Sequence, residues 1–184
     1  MTEILPDVLD FGLAVVFCGT AASRISARYE AYYANPGNRF WQTLCQAGFT
    51  PRLYEPQEFY KLLDLRIGLT DVAKGKAGAD ADLKRSDFDP EALNAKILRV
   101  KPRVLAFTSK AAWRAWKAVP SKQTVSWGWQ EEILGGTRIY VLPSPSGAAR
   151  RYWDMAPWLA LAEDYRSRMR PRGGGDKICR AHRK

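Results

Sequence analysis

The stretch LAVVFCGTAAS, residues 13–23, decides the fold class. Residues 13–18 form a continuous apolar run, rich in β-branched side chains and without polar alternation. A run of this kind reads as a strand buried on both faces, the pattern of a parallel sheet covered by helices. It stops at Gly19, and the small residues that follow leave the backbone bare. Residues 104–107 repeat the buried-strand pattern, and residues 127–134 and 137–142 read as two strands around the Gly135-Gly136 turn.

Helical segments separate these strands. Residues 38–47 form one, closed by Gly48, and residues 57–63 form another after Pro56. Asp89, Pro90 and Glu91 supply a cap, a first-turn proline and an acid at the positive end of a helix running to residue 100. Ser109 caps a helix over residues 110–117, and a last helix covers residues 152–168. Residues 20–37 read as a loop, and residues 66–84 as a connection rich in Gly and Ala. Strands alternating with helices predict an α/β fold, a three-layer α/β/α domain around a central, mostly parallel four-stranded sheet. One domain spans residues 1–165, and residues 166–184 form a basic, disordered tail. In such sheets functional groups gather at the carboxyl ends of the strands. Three loops qualify: CGTAAS (18–23), TSKAA (108–112) and PSPSGAAR (143–150).

Composition narrows the chemistry. The 184 residues, 46% hydrophobic and 26% charged, suit one globular domain. No apolar run approaches the roughly 18 to 20 residues needed to cross a bilayer, and no signal peptide is read at the N-terminus. The expected location is the cytoplasm, on the nucleoid in a bacterium, and no membrane partner is expected. Of the net charge of +10, the last 19 residues carry +7, with eight Lys or Arg against one Asp. Basic charge favours nucleic acid, but a basic tail adds affinity rather than chemistry. Cys18, Cys45 and Cys179 fit no metal-ligand spacing, and the one histidine, His182, lies in the tail. Zinc, iron–sulfur and histidine-triad chemistry are therefore not expected, nor any metal or cofactor. Catalysis falls to carboxylates, amides, hydroxyls or backbone groups.

Two loops carry the most chemical information. Small residues at 19–23 let backbone N–H groups approach a ligand closely. They make no Gly-x-Gly-x-x-Gly dinucleotide fingerprint. In the other loop two prolines hold the chain extended, while hydroxyls, exposed amides, Arg150 and Arg151 suit phosphates.

The segments VFCGTAAS, YYANPGNRFWQTLCQAGF, RIGLTDVAKG, LAFTSKAAW and VLPSPSGAAR resemble, in order and spacing, the uracil-DNA glycosylase superfamily. They look closest to its mismatch-specific uracil/thymine branch and share features with hypoxanthine-DNA glycosylases. The resemblance covers residues 13–165. It implies an enzyme that flips a damaged base out of DNA and hydrolyses its N-glycosidic bond with water, leaving an abasic site. The substrate implied is uracil, with other deaminated bases as further candidates, in single- or double-stranded DNA, and the protein acts as a monomer. By resemblance, Gly19, Thr20, Ala21 and Ser23 bind the base and Tyr33 stacks on it. Ser144, Ser146, Gly147, Ala148, Arg150 and Arg151 hold the distorted strand, and Lys110 meets a flanking phosphate.

Two positions depart from the branch. Ala21 stands where it has the asparagine that positions water, and Ala148 where it has a leucine wedge. Three residues are candidates for the water: Asp71 through its carboxylate, and Asn38 or Asn35 through an amide. Asn38 is also placed to cap its own helix. The alternative function is a non-catalytic binder of damaged bases or abasic sites on the same fold.

Overall fold

The computed structural model describes residues 3–169. Its sheet has five strands in the order β2-β1-β3-β5-β4. β1 (Val15–Ala22), β2 (Ile67–Ala77), β3 (Val104–Phe107) and β5 (Thr137–Val141) run parallel, and β4 (Gly128–Leu134) closes one edge antiparallel to β5. The helices are α1 (Arg24–Arg28), α2 (Phe40–Ala47), α3 (Pro90–Val100), α4 (Lys110–Lys117) and α5 (Ala156–Met169).

The alternation of β1 builds two cores. Val15 and Phe17 face one side and pack with Phe40, Leu44, Trp158 and Leu161 from α2 and α5. Val16 and Cys18 face the other and pack with Leu93, Ile97, Ala112 and Trp113 from α3 and α4. Burial on both faces explains why residues 15–18 of β1 and all of β3 lack polar positions. The three-layer α/β/α architecture is as the sequence predicts.

The strand count is not. The four expected strands are present, but the segment read as a connection contains a fifth, β2. Its sequence IGLTDVAKGKA interrupts the apolar pattern with Gly, Thr, Asp and Lys. Pairing with β1, rather than local propensity, makes it a strand. An N-terminal strap covers its outer edge: Val8 and Leu69 exchange two backbone hydrogen bonds of 2.9 Å, and the Ile4 N–H donates to Lys74 O at 2.8 Å. The Lys74 ammonium lies 3.0 Å from Asp7, and Lys96 lies 2.6 Å from Asp7 and 2.8 Å from Glu3, which stitches the strap down.

Other boundaries move for local reasons. β1 continues through Gly19 to Ala22 before α1, where a loop was expected. The segment after Glu55 is a 3-10 helix, Pro56–Leu65, with the Glu58 carboxylate accepting from the Glu55 N–H at 3.0 Å. The last helix starts at Ala156, not at residue 152, because Pro157 cannot lie within a helix interior. Asp154 instead accepts from the Ala156 N–H at 2.9 Å, and the chain before it forms a separate 3-10 turn, Gly147–Tyr152. Residues 166–169, assigned to the tail, continue α5; the Arg166 guanidinium donates to Ala47 O. The rest of the tail, with Cys179 and His182, lies outside the described residues.

Candidate functional site

Just past the point where β3 ends beside Cys18, Gly19 of β1 lies opposite Asp71 of β2. Asp71 was expected in a loop; it is a strand residue, 5% exposed. A side chain at Gly19 has no room. An added Cβ would fall on Asp71 Oδ1 and lie 3.2 Å from the Tyr33 hydroxyl. Two groups therefore converge on the bare backbone of Gly19, a carboxylate and a phenol.

Among the described residues no hydrogen bond is formed to the Asp71 carboxylate. Its oxygens are not sealed off, and keep a narrow contact with solvent at the rim. Burial pushes its pKa up to about 7; Lys74 opposes the shift and Asp7 adds to it. Near neutral pH this carboxyl is thus divided between charged and neutral forms. Burial also raises the Tyr33 phenol well above its ordinary value, with Asp71 adding and a Thr108 hydrogen bond opposing.

Tyr33 is held in place from several sides. Its hydroxyl is 3.3 Å from Thr108 Oγ1, which donates in turn to Cys18 O at 3.3 Å. One ring face stacks on Phe40 at 3.8 Å between centroids, nearly parallel at 17°. Its backbone has φ of +55°, a region rarely used by bulky residues. The loop keeps this conformation because Ser26 Oγ accepts from the Ala34 N–H at 3.1 Å, and the Trp41 indole donates to Tyr32 O at 3.0 Å. Phe40 is fully buried and backs the tyrosine.

The two asparagines are engaged locally. Asn35 Oδ1 accepts from the Gly37 N–H at 3.0 Å, and Asn38 Oδ1 from the Phe40 N–H at 2.9 Å, at the first residue of α2. Both shape the turn with their acceptor oxygens. Ser23 caps α1, accepting from the Ser26 N–H at 3.0 Å. Thr20 is buried, with its hydroxyl 3.5 Å from that of Ser109, which joins the first loop to the second. Ala21 pairs with Ala73 and is partly exposed.

The third loop closes onto the NPGN turn. The Arg39 N–H donates to Pro145 O at 2.9 Å, and a Cβ at Gly147 would lie 2.8 Å from Gly37 O. Ser144 and Ser146 each accept from a backbone N–H two residues on, at 3.3 Å, so their hydroxyls brace the loop. Ala148, Arg150 and Arg151 are exposed, and neither arginine forms an ion pair among the described residues. Lys110, at the start of α4, sits 4.7 Å over the Trp127 ring. The three expected loops thus share one rim of the sheet. The supports that sequence reading missed are Thr108, Phe40 and the Asp7–Lys74 pair. Their signal is weak, since each looks like ordinary strand, helix or surface composition. Among the described residues no group of three or more His, Cys, Asp or Glu is clustered as for a metal.

A family model for the Uracil DNA glycosylase superfamily matches residues 6–163, which include every group of this rim. The chain belongs to that superfamily. A solution NMR structure described as a "putative Uracil DNA glycosylase from Methanosarcina acetivorans" superposes with a TM-score of 0.62 at 25% identity. The match covers 88% of this chain and 96% of that one. Membership in the uracil DNA glycosylase superfamily supports a DNA glycosylase role, with DNA as the substrate class. No described helix is long and apolar enough to cross a membrane.

Proposed function

We propose that the protein hydrolyses the N-glycosidic bond of uracil flipped out of DNA, without metal or cofactor, and that Asp71 supplies the group Ala21 lacks. The observation that carries this reading is the buried Asp71 carboxylate, without a hydrogen bond among the described residues, facing Gly19 beside Tyr33. Cleavage builds positive charge on the sugar and negative charge on the leaving base. An ionised carboxylate at this position accepts a hydrogen bond from the attacking water and stabilises the sugar cation. The backbone at 19–20, pre-positioned by the sheet, receives the edge of the base. The open face of Tyr33 stacks on its ring while Phe40 holds the other face. Asn35 and Asn38 serve as turn-builders whose oxygens already have partners.

NPGNRFW together with PSPSGAAR supports placement near the mismatch-specific branch, and Ala148 in the wedge position supports a weaker grip on the duplex. A monomer working on single- or double-stranded DNA fits the single-domain site. Ala21 favours the second reading, a binder without catalysis, and one experiment separates the two. Purified protein is incubated with oligonucleotides carrying uracil, hypoxanthine or mismatched thymine, and alkali-labile strand breaks are measured. Breaks at uracil are expected. Tight binding without breaks at any base establishes the non-catalytic reading.

A further inference from the structure

One row of register crosses the whole sheet at the rim of the site. Thr70 pairs with Cys18, Cys18 with Phe107, Phe107 with Val141 and Val141 with Gly128. Trp127, just before Gly128, therefore stands at the same rim as Gly19 and Asp71. It lies three strand spacings from β1, about 14 Å. That is the length of roughly four base steps along a DNA strand.

Gly128 aims Trp127 away from the sheet. In an unbroken strand residues 127 and 129 would share a face. Gly128 has φ of +99°, with open space where a Cβ would be, and breaks that alternation. Trp129 packs edge-on against Tyr140 under the Arg138 guanidinium, 3.6 Å from its ring centroid. Trp127 instead meets Lys110, and the residue is 36% exposed. Among the described residues Lys110 forms no ion pair and the Trp127 indole N–H no hydrogen bond.

A flat ring and an unpaired ammonium side by side match one repeating unit: a planar base joined to a phosphate. Within the glycosylase reading above, on which this inference rests, we propose that Trp127 and Lys110 form a second nucleotide subsite. The indole stacks an unpaired base of the strand under repair, and Lys110 pairs with the adjoining phosphate. Bases within a duplex are already stacked on each other, so the subsite favours single-stranded DNA.

The test is binding of undamaged oligonucleotides, single-stranded and duplex, measured by fluorescence anisotropy for wild type, Trp127→Ala and Trp127→Phe. Base–aromatic stacking corresponds to roughly fivefold to a hundredfold in affinity. Trp127→Ala should lose single-strand affinity in that range, change duplex affinity less than about twofold, and be rescued largely by Phe. Lys110→Ala should flatten the single-strand salt dependence by about 0.7 in log–log slope. Trp127→Leu keeps apolar bulk over Lys110 without a flat ring, and it carries the same comparison if the alanine variant does not fold. Wild-type single-strand affinity in the folded alanine or leucine variant, or equal losses on both DNA forms, overturns the subsite. Failure of wild type to cleave uracil would overturn the glycosylase reading separately, because these binding measurements contain no uracil.

Discussion

Two regions of the candidate rim are built on opposite principles. At the β1–β2 end a carboxylate and a phenol are packed against bare backbone, with no room for one added methyl group at Gly19. On the loop after β5, which closes onto the NPGN turn, Arg150 and Arg151 stand in solvent without ion-pair partners among the described residues, beside serines that brace that loop. The first region holds charge where water is scarce, so its energetics follow pH. The second holds charge in water, so its energetics follow salt. Each region can therefore be altered while the other is left to report on what remains.

The largest effect belongs to Asp71. Asp71→Asn keeps shape and loses charge, and single-turnover cleavage should fall about 10² to 10⁴-fold, the usual contribution of a positioned catalytic group. In wild type the rate should rise as pH passes through about 7, where the carboxyl ionises. Stability moves the other way. The folded pKa is raised from 3.8, so this residue's stabilisation is complete below about pH 4 and is lost as pH rises through about 7. At about 1.4 kcal/mol per pKa unit, Asp71→Asn should gain up to about 4 kcal/mol on wild type between pH 4 and 8. Denaturant melts at both pH values check this. A variant that is dead but no more stable at pH 8 would show that the wild-type carboxylate is not strained by burial.

Tyr33 comes next. Tyr33→Ala removes both the stacking face and the partner of Phe40, and cleavage should drop tenfold or more. Tyr33→Phe keeps both faces and loses the Thr108 hydrogen bond, a stability change of about 1 kcal/mol with the rate nearly intact. Equal rates for Ala and wild type would remove Tyr33 from the pocket.

The arginine loop should respond more mildly. Arg150→Ala with Arg151→Ala should reduce the log–log salt slope of duplex binding by up to about 2, while cleavage of fully bound substrate persists. A changed rate at saturation would mean that this loop also places the base. The smallest effect is expected of Asn38→Ala: about 1 kcal/mol of stability from the lost bond to the Phe40 N–H, with cleavage retained. A folded but inactive Asn38→Ala would transfer the role of Asp71 to this amide.

The same contrast explains what could be read in advance. Residues 15–18 of β1 and all of β3 were legible because burial on both faces leaves only apolar residues there. β2 was not, since it lies second to the strap at the sheet edge, and its Thr70 and Asp71 are occupied by the strap and the site. The loops of the rim were legible as motifs. Their convergence, and the partner of each side chain, were not. Thr108 reaches Tyr33 from 75 residues away, and no local spacing encodes that pairing. Trp127 looked like the first residue of a strand; only the left-handed backbone at Gly128 shows that it leaves it.

The strap over β2 has a consequence for how the chain is made. An uncovered outer strand offers a row of free donors and acceptors to any other chain nearby, a route to aggregation. Here the segment that guards that edge, Ile4 to Val8, precedes the strand it covers by some sixty residues. Synthesis runs from the N-terminus at about 5 to 20 residues per second. The cover has therefore left the ribosome several seconds before the edge exists, and the nascent sheet need never show it bare.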